Sequence, residues 1–369
     1  MKKKALALIF AATMALSLVA CGGSSQSAAT TAAAAPAATQ AAAAAAPEAA
    51  EMEEYHWRMA HEEYDGDMQD VYCKEFIQKL NEKSGGKITV DLYPVGQLGD
   101  AIQQCELLQN NALEFAIISP GNTGTIVPEN QLFSLHFLFP SDWGKTLEVL
   151  KTSKALNEDL NAKYLDKNIQ VLQYWTEGAM FWTSNVSLKN ADAFKGLKFR
   201  TMQSPMIIAA YEAYGSNPTP MSYTEVYSGL QLKMIEGQEN PSSAILTSKF
   251  YEVQKYLTDA QSNLYMTATC VNPSFFNGLP ENVQKIILET IEEMYPRSFE
   301  IQDELNSTAV DEMVKANPDL IVEALTDDER AVYKDLAKSA YDVYGNVVGA
   351  DGQAILAKLL DEIAAIEAK

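Results

Sequence analysis

The 369-residue sequence predicts an α/β fold of roughly two domains of about 150 residues each. Two observations carry this prediction. Short apolar runs with strand character alternate with amphipathic helical patterns over about 300 residues. The apolar fraction, 47%, lies in the range of globular proteins, so the chain can bury a core. We therefore expect α/β layers with largely parallel sheets.

The charge balance makes nucleic acid an unsuitable partner. The chain contains 28 Lys and Arg against 49 Asp and Glu, which gives a formal net charge of −21. Nucleic-acid binding depends mainly on Lys and Arg contacts to phosphates, and an acidic chain repels that backbone. The four cysteines are too few and too scattered for a disulfide scaffold.

Residues 1–20 have the pattern of a lipoprotein signal peptide. Three lysines, Lys2–Lys4, precede an apolar stretch, Ala5–Val19, that is too short to span a bilayer comfortably as a permanent helix. The following segment, Leu18–Cys21, resembles a lipobox, in which the cysteine is lipidated and becomes the new N-terminus. The alternative, a buried helix, fits the small polar residues that follow less well. We expect export and a lipid anchor on Cys21, at the outer face of the cytoplasmic membrane or in the periplasm.

Residues 21–53 are predicted to be a lipidated cysteine followed by a flexible linker. Residues 22–50 contain 16 alanines in 29 positions and no aromatic or large aliphatic side chain. Such a segment cannot bury enough apolar surface to offset its ordering entropy. The folded module therefore begins near Glu54.

The module opens with a predicted βαβ unit. Its strands are Tyr55–Ala60 and Lys87–Tyr93, and a helical pattern from Asp67 to Glu82 separates them. Further apolar runs predict strands at Phe115–Ser119, Ile169–Trp175, Phe181–Asn185, Leu197–Thr201 and Leu264–Val271.

The last third of the chain is predicted to be mostly helical. Pro280 and Glu281 open a helix whose apolar residues share one face. Thr326 and Glu329 have the spacing of a capping box. A final amphipathic stripe runs over residues 355–366, and both stripes are expected to lie in the core.

Motifs of catalysis are missing from the sequence. It contains no G-x-S-x-G elbow, Walker loop, G-x-G-x-x-G or H-E-x-x-H. The three histidines, His56, His61 and His136, offer few candidates for a catalytic or metal centre, and the acidic run at residues 65–70 lacks the spacing of an EF-hand. We therefore expect a protein that is not an enzyme, with no catalytic residues, no metal ligands and no cofactor.

The stretch from Lys195 to Pro241 combines features of an anion pocket. Arg200 closes a short predicted strand, where its guanidinium can contact a carboxylate with two parallel hydrogen bonds. Ser222 and Glu225 have the spacing of a capping box, which places Tyr223 in a first helical turn, where anions are favoured.

The end of that stretch presents a second polar group. Pro218 and Pro220 stiffen one loop, and Gly237 permits a turn before Asn240, whose extended conformation is favoured by the following proline. Each residue also has a structural interpretation. Arg200 could form a surface ion pair, Tyr223 could be half-buried, and Asn240 could simply form a turn.

This stretch closely resembles the solute-binding subunits of tripartite ATP-independent periplasmic (TRAP) transporters, the family that includes the dicarboxylate binders. The resemblance covers the whole module and includes Leu92–Asp100, Lys249–Tyr256 and Leu279–Glu281. It implies a two-lobed, periplasmic-binding-protein-like α/β fold, with hinge strands and a long connecting helix. Lobe I would comprise residues 54–177 and 266–305, and lobe II would comprise residues 178–265 and 306–369.

The resemblance also implies the function. The protein would capture a small-molecule carboxylate, an organic acid, between its lobes and deliver it to integral-membrane TRAP permease subunits. Two alternatives remain open: a sensor or interaction lipoprotein with a similar fold, and an ABC-type binding protein.

The resemblance further implies the ligand-binding residues. Arg200 would be the arginine that grips the carboxylate, Asn240, Tyr223 and Gln203 would line the pocket, and Ser119 would add a polar contact from a first-lobe loop.

The sequence departs from the family pattern at Met180. Many members that bind sugar acids or diacids carry a second basic residue there. With Met180 and Trp182 near the pocket, we expect a ligand with one carboxylate and a less polar remainder, although Trp182 could equally be a core residue.

Overall fold

The computed structural model describes residues 52–369. The predicted signal peptide, the lipidation site Cys21 and almost all of the predicted linker lie outside the described residues. The strands are β1 (Tyr55–Ala60), β2 (Ile88–Tyr93), β3 (Phe115–Ile118), β4 (Gln170–Ser184), β5 (Lys198–Thr201), β6 (Asn217–Pro220), β7 (Gly237–Asn240), β8 (Tyr256–Val271) and β9 (Ile321–Ala324).

Twelve α-helices are present among the described residues, and each of them is too short or too polar to cross a lipid bilayer. They are α1 (Met68–Lys83), α2 (Ala101–Gln109), α3 (Pro120–Thr123), α4 (Trp143–Thr152), α5 (Asn161–Leu165), α6 (Pro205–Ala213), α7 (Val226–Gln231), α8 (Ser242–Thr247), α9 (Pro273–Gly278), α10 (Glu281–Ala316), α11 (Asp327–Leu336) and α12 (Lys338–Glu367). Short 3₁₀ or π-helical segments lie at Pro128–Ser134, Ala155–Leu160, Ala191–Phe194, Tyr223–Glu225 and Phe250–Glu252.

The nine strands of residues 52–369 form one mixed sheet. Its order is β2-β1-β3-β8-β4-β7-β5-β6, with β9 paired to β8. The β1–β2, β1–β3, β5–β6 and β5–β7 pairs are parallel. The β3–β8, β4–β8 and β4–β7 pairs are antiparallel. The prediction of largely parallel sheets therefore holds at the two ends and is wrong for the middle.

Two lobes arise because β4 and β8 run through both ends of the sheet. The first lobe contains β1–β3, and the second lobe contains β5–β7. Each lobe has a hydrophobic cluster on either face of its part of the sheet. The two-lobed α/β fold that the sequence predicted is confirmed.

The long connecting helix α10 passes from one lobe to the other. Its first part, including Val283 and Ile291, lies in a first-lobe cluster with α1, whereas Met313 near its end lies in a second-lobe cluster. Helix α12 contacts both α6 and α4, so it bridges the lobes instead of belonging to the second lobe alone. The predicted lobe boundaries otherwise stay a prediction.

The two crossing strands leave regular pairing at the same level, which marks the hinge. On β4 the register shifts between Thr176 and Phe181. Gly178 lies within this shift at φ 120°, and Gln261 on β8 also has a positive φ, 47°. The interruption explains why the sequence predicted two short strands, Ile169–Trp175 and Phe181–Asn185, where the structure has one.

Gly178→Ala is expected to destabilise the protein by about 1–3 kcal/mol, because an L-residue at this φ is strained. A Cβ at Gly178 would also lie 2.9 Å from Nδ2 of Asn306. Urea unfolding of the ligand-free protein measures the effect. Gly278→Ala is the matched control, because Gly278 has no heavy atom within 4 Å of the added Cβ. Equal unfolding midpoints for the two variants would contradict the strain at the hinge.

Candidate functional site

The candidate site lies where parallel strands of both lobes end. Glu62 follows the end of β1, and Ser119 follows the end of β3. In the second lobe, Arg200 lies near the end of β5 and Asn240 is the last residue of β7. The carboxyl ends of parallel strands are the usual position for ligands in α/β proteins.

Arg200 is buried, with 3% of its surface exposed, and its guanidinium is only partly satisfied. Its Nε and Nη2 donate to the Met221 carbonyl oxygen at 3.1 and 2.9 Å. A guanidinium has five N–H donors, so three remain, including both on Nη1. Burial lowers the pKa of Arg200 from its usual value. The side chain therefore has an edge available for a planar anion.

One cavity brings residues of both lobes to Arg200. Its lining residues come from the segments after β1 and β3, from β5 and its continuation, from the turn before α7, and from β7 and β8: Glu62, Glu63, Asn122, Arg200, Met202, Tyr223, Asn240 and Tyr265. Three of the residues predicted from the sequence, Arg200, Tyr223 and Asn240, thus meet in one place.

Two buried glutamates stand opposite Arg200, and the sequence analysis missed both. Glu62 accepts hydrogen bonds from Ser119 N at 3.0 Å, from the Ser119 hydroxyl, and from Asn122 Nδ2 at 2.9 Å. Burial raises the pKa of Glu62 to about 7. Burial, followed by the charge of Glu177, raises the pKa of Glu63 well above its usual range. The available signal was two carboxylates directly after a predicted strand.

Gln69 of α1 connects these carboxylates to the hinge. Its side-chain oxygen accepts from Glu62 N at 2.8 Å, its backbone N donates to Glu63 Oε2 at 2.9 Å, and its Nε2 donates to Glu177 Oε1 at 2.8 Å. Glu177 immediately precedes Gly178 in the irregular part of β4. Burial raises the pKa of Glu177 to about 8.

The ligand-free protein is expected to be more stable at pH 6 than at pH 8. Glu62 and Glu177 have folded-state pKa values raised above about 4.5, to about 7 and about 8. The folded state therefore binds more protons than the unfolded state in this range, and stability falls as pH rises, by about 1.4 kcal/mol per pH unit for each net proton.

Urea unfolding at pH 6, 7 and 8 checks this slope. Glu177→Gln should reduce it because an amide does not ionise, whereas Glu106→Gln on the exposed face of α2 should leave it unchanged. A ligand-free stability that rises from pH 6 to pH 8 would contradict the buried protonated carboxylates.

Three other predicted residues line cavities beside the Arg200 cavity. Gln203 lines an adjoining cavity with Asp100 and Tyr223. Ser119 and Met180 line a second adjoining cavity, whose lining mixes polar and apolar side chains. Met202 and Tyr265 border both the Arg200 cavity and this second cavity.

Trp182 lies in the aromatic core of the second lobe and borders none of these cavities. It is fully buried, and its ring lies 5.1 Å from that of Phe194 and 4.9 Å from that of Tyr333. The structure therefore supports the core interpretation of Trp182.

Three local predictions near the site are wrong. Ser222 makes no capping bond, and Tyr223 lies in a 3₁₀ turn because Glu225 N donates to the Ser222 carbonyl oxygen at 3.0 Å. Gly237 lies in β7, not in a turn. A Cβ there would approach the Thr183 carbonyl oxygen to 2.8 Å, so the glycine permits close strand packing. The proline-containing loop likewise pairs with β5 as the edge strand β6.

Comparison with known proteins assigns the chain to a family with this architecture. The family model for bacterial extracellular solute-binding proteins, family 7, matches residues 59–346. The ectoine/5-hydroxyectoine-binding periplasmic protein UehA of Ruegeria pomeroyi is 33% identical over 309 residues, which cover 84% of this chain and 91% of the relative. The 2,3-diketo-L-gulonate-binding periplasmic protein YiaO of Escherichia coli is 31% identical over 313 residues, which cover 83% of this chain and 91% of the relative.

A solved structure agrees with the fold. The periplasmic ectoine-binding protein of the TeaABC TRAP transporter of Halomonas elongata is 32% identical, with a TM-score of 0.81. The match covers 84% of this chain and all of that one.

Proposed function

This chain belongs to the bacterial extracellular solute-binding proteins of family 7, the solute-binding subunits of TRAP transporters, and we propose on that premise that it captures one carboxylate-bearing solute between its lobes. The observation that carries the proposal is that the buried Arg200 guanidinium uses only two of its five N–H donors, both on the Met221 carbonyl oxygen. A buried guanidinium without an anion leaves donors unpaired, which is costly. A carboxylate supplies two acceptors in the matching plane.

The opposite wall defines the second half of the proposed ligand. Glu62 and Glu63 are acceptors when ionised, and they face the same cavity as Arg200. A second carboxylate on the ligand would find no counter-charge there, whereas a cationic or N–H-bearing group would be stabilised by the ionised, accepting form of these side chains. We therefore propose a ligand with one carboxylate and a donor-rich, cationic remainder, instead of the less polar remainder expected from Met180.

Ectoine is a probe that matches this charge pattern. It carries one carboxylate and one protonated ring amidine, and the names of UehA and of the Halomonas protein state that they bind it. Succinate, with two carboxylates, is the contrasting probe. Isothermal titration calorimetry should give at least about tenfold tighter binding of ectoine than of succinate, a difference of about 1.4 kcal/mol. Tenfold tighter binding of succinate than of ectoine would contradict the proposed ligand class.

Capture would be coupled to closure of the lobes, without chemistry on the ligand. A ligand that contacts both walls has a higher affinity for the closed form, so it shifts the hinge equilibrium towards closure. The closed protein would then deliver the solute to a two-part integral-membrane permease, as its family membership indicates. Small-angle scattering checks the first step, since an unchanged radius of gyration on ligand addition would contradict closure.

We also propose that the exported protein is held at the membrane by lipid on Cys21. The support is the lipobox pattern of Leu18–Cys21 after an apolar stretch that follows three lysines. Mass spectrometry of the mature N-terminal peptide tests the anchor. A peptide that starts at Cys21 and carries acyl chains would support it, and an unmodified N-terminus elsewhere would refute it.

A further inference from the structure

Asn306 of α10 joins the hinge to the second-lobe part of the site. Its Nδ2 donates to the Glu177 carbonyl oxygen at 2.8 Å. Its Oδ1 accepts from Ser243 N at 3.0 Å and from the Ser242 hydroxyl at 2.9 Å. One amide side chain thus holds the irregular part of β4 and the start of α8 together. We call this set of contacts the clasp.

The contact lies where the long helix crosses between the lobes. Upstream of it, Arg297 of α10 forms an ion pair with Glu75 of α1 in the first lobe, with Nε 2.8 Å from Oε2. Downstream of it, Met313 lies in a second-lobe cluster. Asn306 therefore occupies the level at which β4, β8 and α10 all pass from one lobe to the other.

The space around Asn306 accommodates the clasp only if residue 178 has no side chain. Gly178 has φ 120°, and a Cβ at this position would come within 2.9 Å of Asn306 Nδ2. The glycine thus permits both the bend of β4 and the close approach of the amide.

Both ends of the clasp lead directly to the walls of the cavity. On one side, Ser242 and Ser243 follow Asn240 after a single proline. On the other side, the Glu177 carboxylate accepts from Gln69, which also bonds Glu63 through its backbone N. A displacement at either end therefore shifts one wall of the cavity relative to the other.

We propose that Asn306 is a positioning residue for ligand capture, which fixes the hinge geometry in which the two walls of the Arg200 cavity face each other. The inference rests on the proposed capture function. The amide is suited to this task because one end donates and the other accepts. An aspartate of nearly the same shape keeps the acceptors but places a carboxylate against the Glu177 carbonyl oxygen.

The test compares Asn306→Asp and Asn306→Ala with the native protein and with Asn282→Ala. Asn282 lies in the first turn of the same helix, far along the chain from the hinge. Hydrogen exchange of the ligand-free proteins measures local opening of the hinge through the amides of residues 178–180 and Ser243. Calorimetry measures the affinity for ectoine, and for succinate as the second probe, and stopped-flow measures their dissociation rates.

Asn306→Ala should exchange about tenfold faster at residues 178–180 and at Ser243, because all three hydrogen bonds, of about 1 kcal/mol each, are lost. Asn306→Asp keeps the acceptor for Ser243 and should exchange faster only at residues 178–180. In both variants the probe that binds the native protein should dissociate about tenfold faster. Asn282→Ala should match the native protein in both readouts. Asn306→Asp retains the size of the side chain, so it decides the matter if Asn306→Ala does not fold.

Native exchange at the hinge in both variants would overturn the inference, whatever the ligand proves to be. Faster exchange with unchanged ligand dissociation would also overturn it, because Asn306 would then have only a structural role. Failure of the native protein to bind either probe would count against the proposed ligand class, whereas the exchange at the hinge would still decide whether the clasp exists.

Discussion

Arg200→Ala is expected to weaken binding of the carboxylate ligand by about 100-fold or more. Two charge-assisted hydrogen bonds are lost, and together they contribute about 3 kcal/mol or more. The truncation also leaves the ligand carboxylate buried beside Glu62 and Glu63 without a counter-charge, which adds to the loss. Calorimetry with ectoine measures the effect directly.

Arg200→Lys separates the geometry of this contact from its charge. An ammonium is a point charge and cannot make the planar two-point contact, nor can it also retain both bonds to the Met221 carbonyl oxygen. We expect at least a tenfold loss of affinity in this variant. Ligand-free Arg200→Ala should remain folded, since it no longer buries an unpaired guanidinium. Near-native affinity in the lysine variant would contradict the two-point contact.

Glu63→Gln is expected to reverse the preference between a zwitterion and a diacid. The substitution removes the carboxyl group that loses its proton and becomes a negative partner when a cationic ligand group binds, so ectoine should bind about 30-fold more weakly, or about 2 kcal/mol. Succinate should bind about as it does to the native protein, because the raised pKa of Glu63 already favours its neutral form there. Because the pKa of Glu63 lies well above its usual range, capture of a cation should also release a proton from this wall.

Titrations of both probes at pH 6 and pH 8 measure the reversal and the proton release. Glu106→Gln, an exposed change of the same kind on α2, serves as the control and should behave as the native protein. Unchanged ectoine binding in Glu63→Gln would show that Glu63 does not contact the ligand, and it would contradict the proposal of a zwitterionic ligand.

The elements that the sequence predicted well are those with strong local signals. The capping box of Thr326 and Glu329 is present, with both reciprocal bonds, at the start of α11. The similar spacing at Ser222 and Glu225 gives no capping box, because the chain forms a 3₁₀ turn there. The carbonyl oxygen just before this turn, that of Met221, accepts hydrogen bonds from the Arg200 guanidinium. A local pattern therefore predicts a cap only where tertiary contacts leave the turn free.

The site was only half predictable for a related reason. Motif resemblance found Arg200, Tyr223 and Asn240, which lie within one continuous stretch of the chain. Glu62 and Glu63 are more than 130 residues away from Arg200, and the two lobes are brought together by the long-range pairing of β4 with β8 and by the helices α10 and α12. Long-range strand order of this kind leaves no local signal in the sequence.

Met180 and Trp182 illustrate the limit of residue type as a guide. Both point to the same side of β4, but Trp182 lies about 7 Å further along the strand from the hinge. Both belong to the same second-lobe cluster, but only Met180 also borders a cavity, whereas Trp182 packs against Phe194 and Tyr333. Residue type alone therefore does not show whether an aromatic side chain near a binding motif contacts the ligand. Its position along the strand must also be known.

The most direct test of the account is a crystal structure of the protein with the acid that binds it most tightly. We predict that the ligand carboxylate lies in the plane of the Arg200 guanidinium, with both oxygens about 3 Å from its nitrogens, and that the remainder of the ligand faces Glu62 and Glu63. A ligand bound elsewhere, with Arg200 still bonded only to the Met221 carbonyl oxygen, would contradict the central claim.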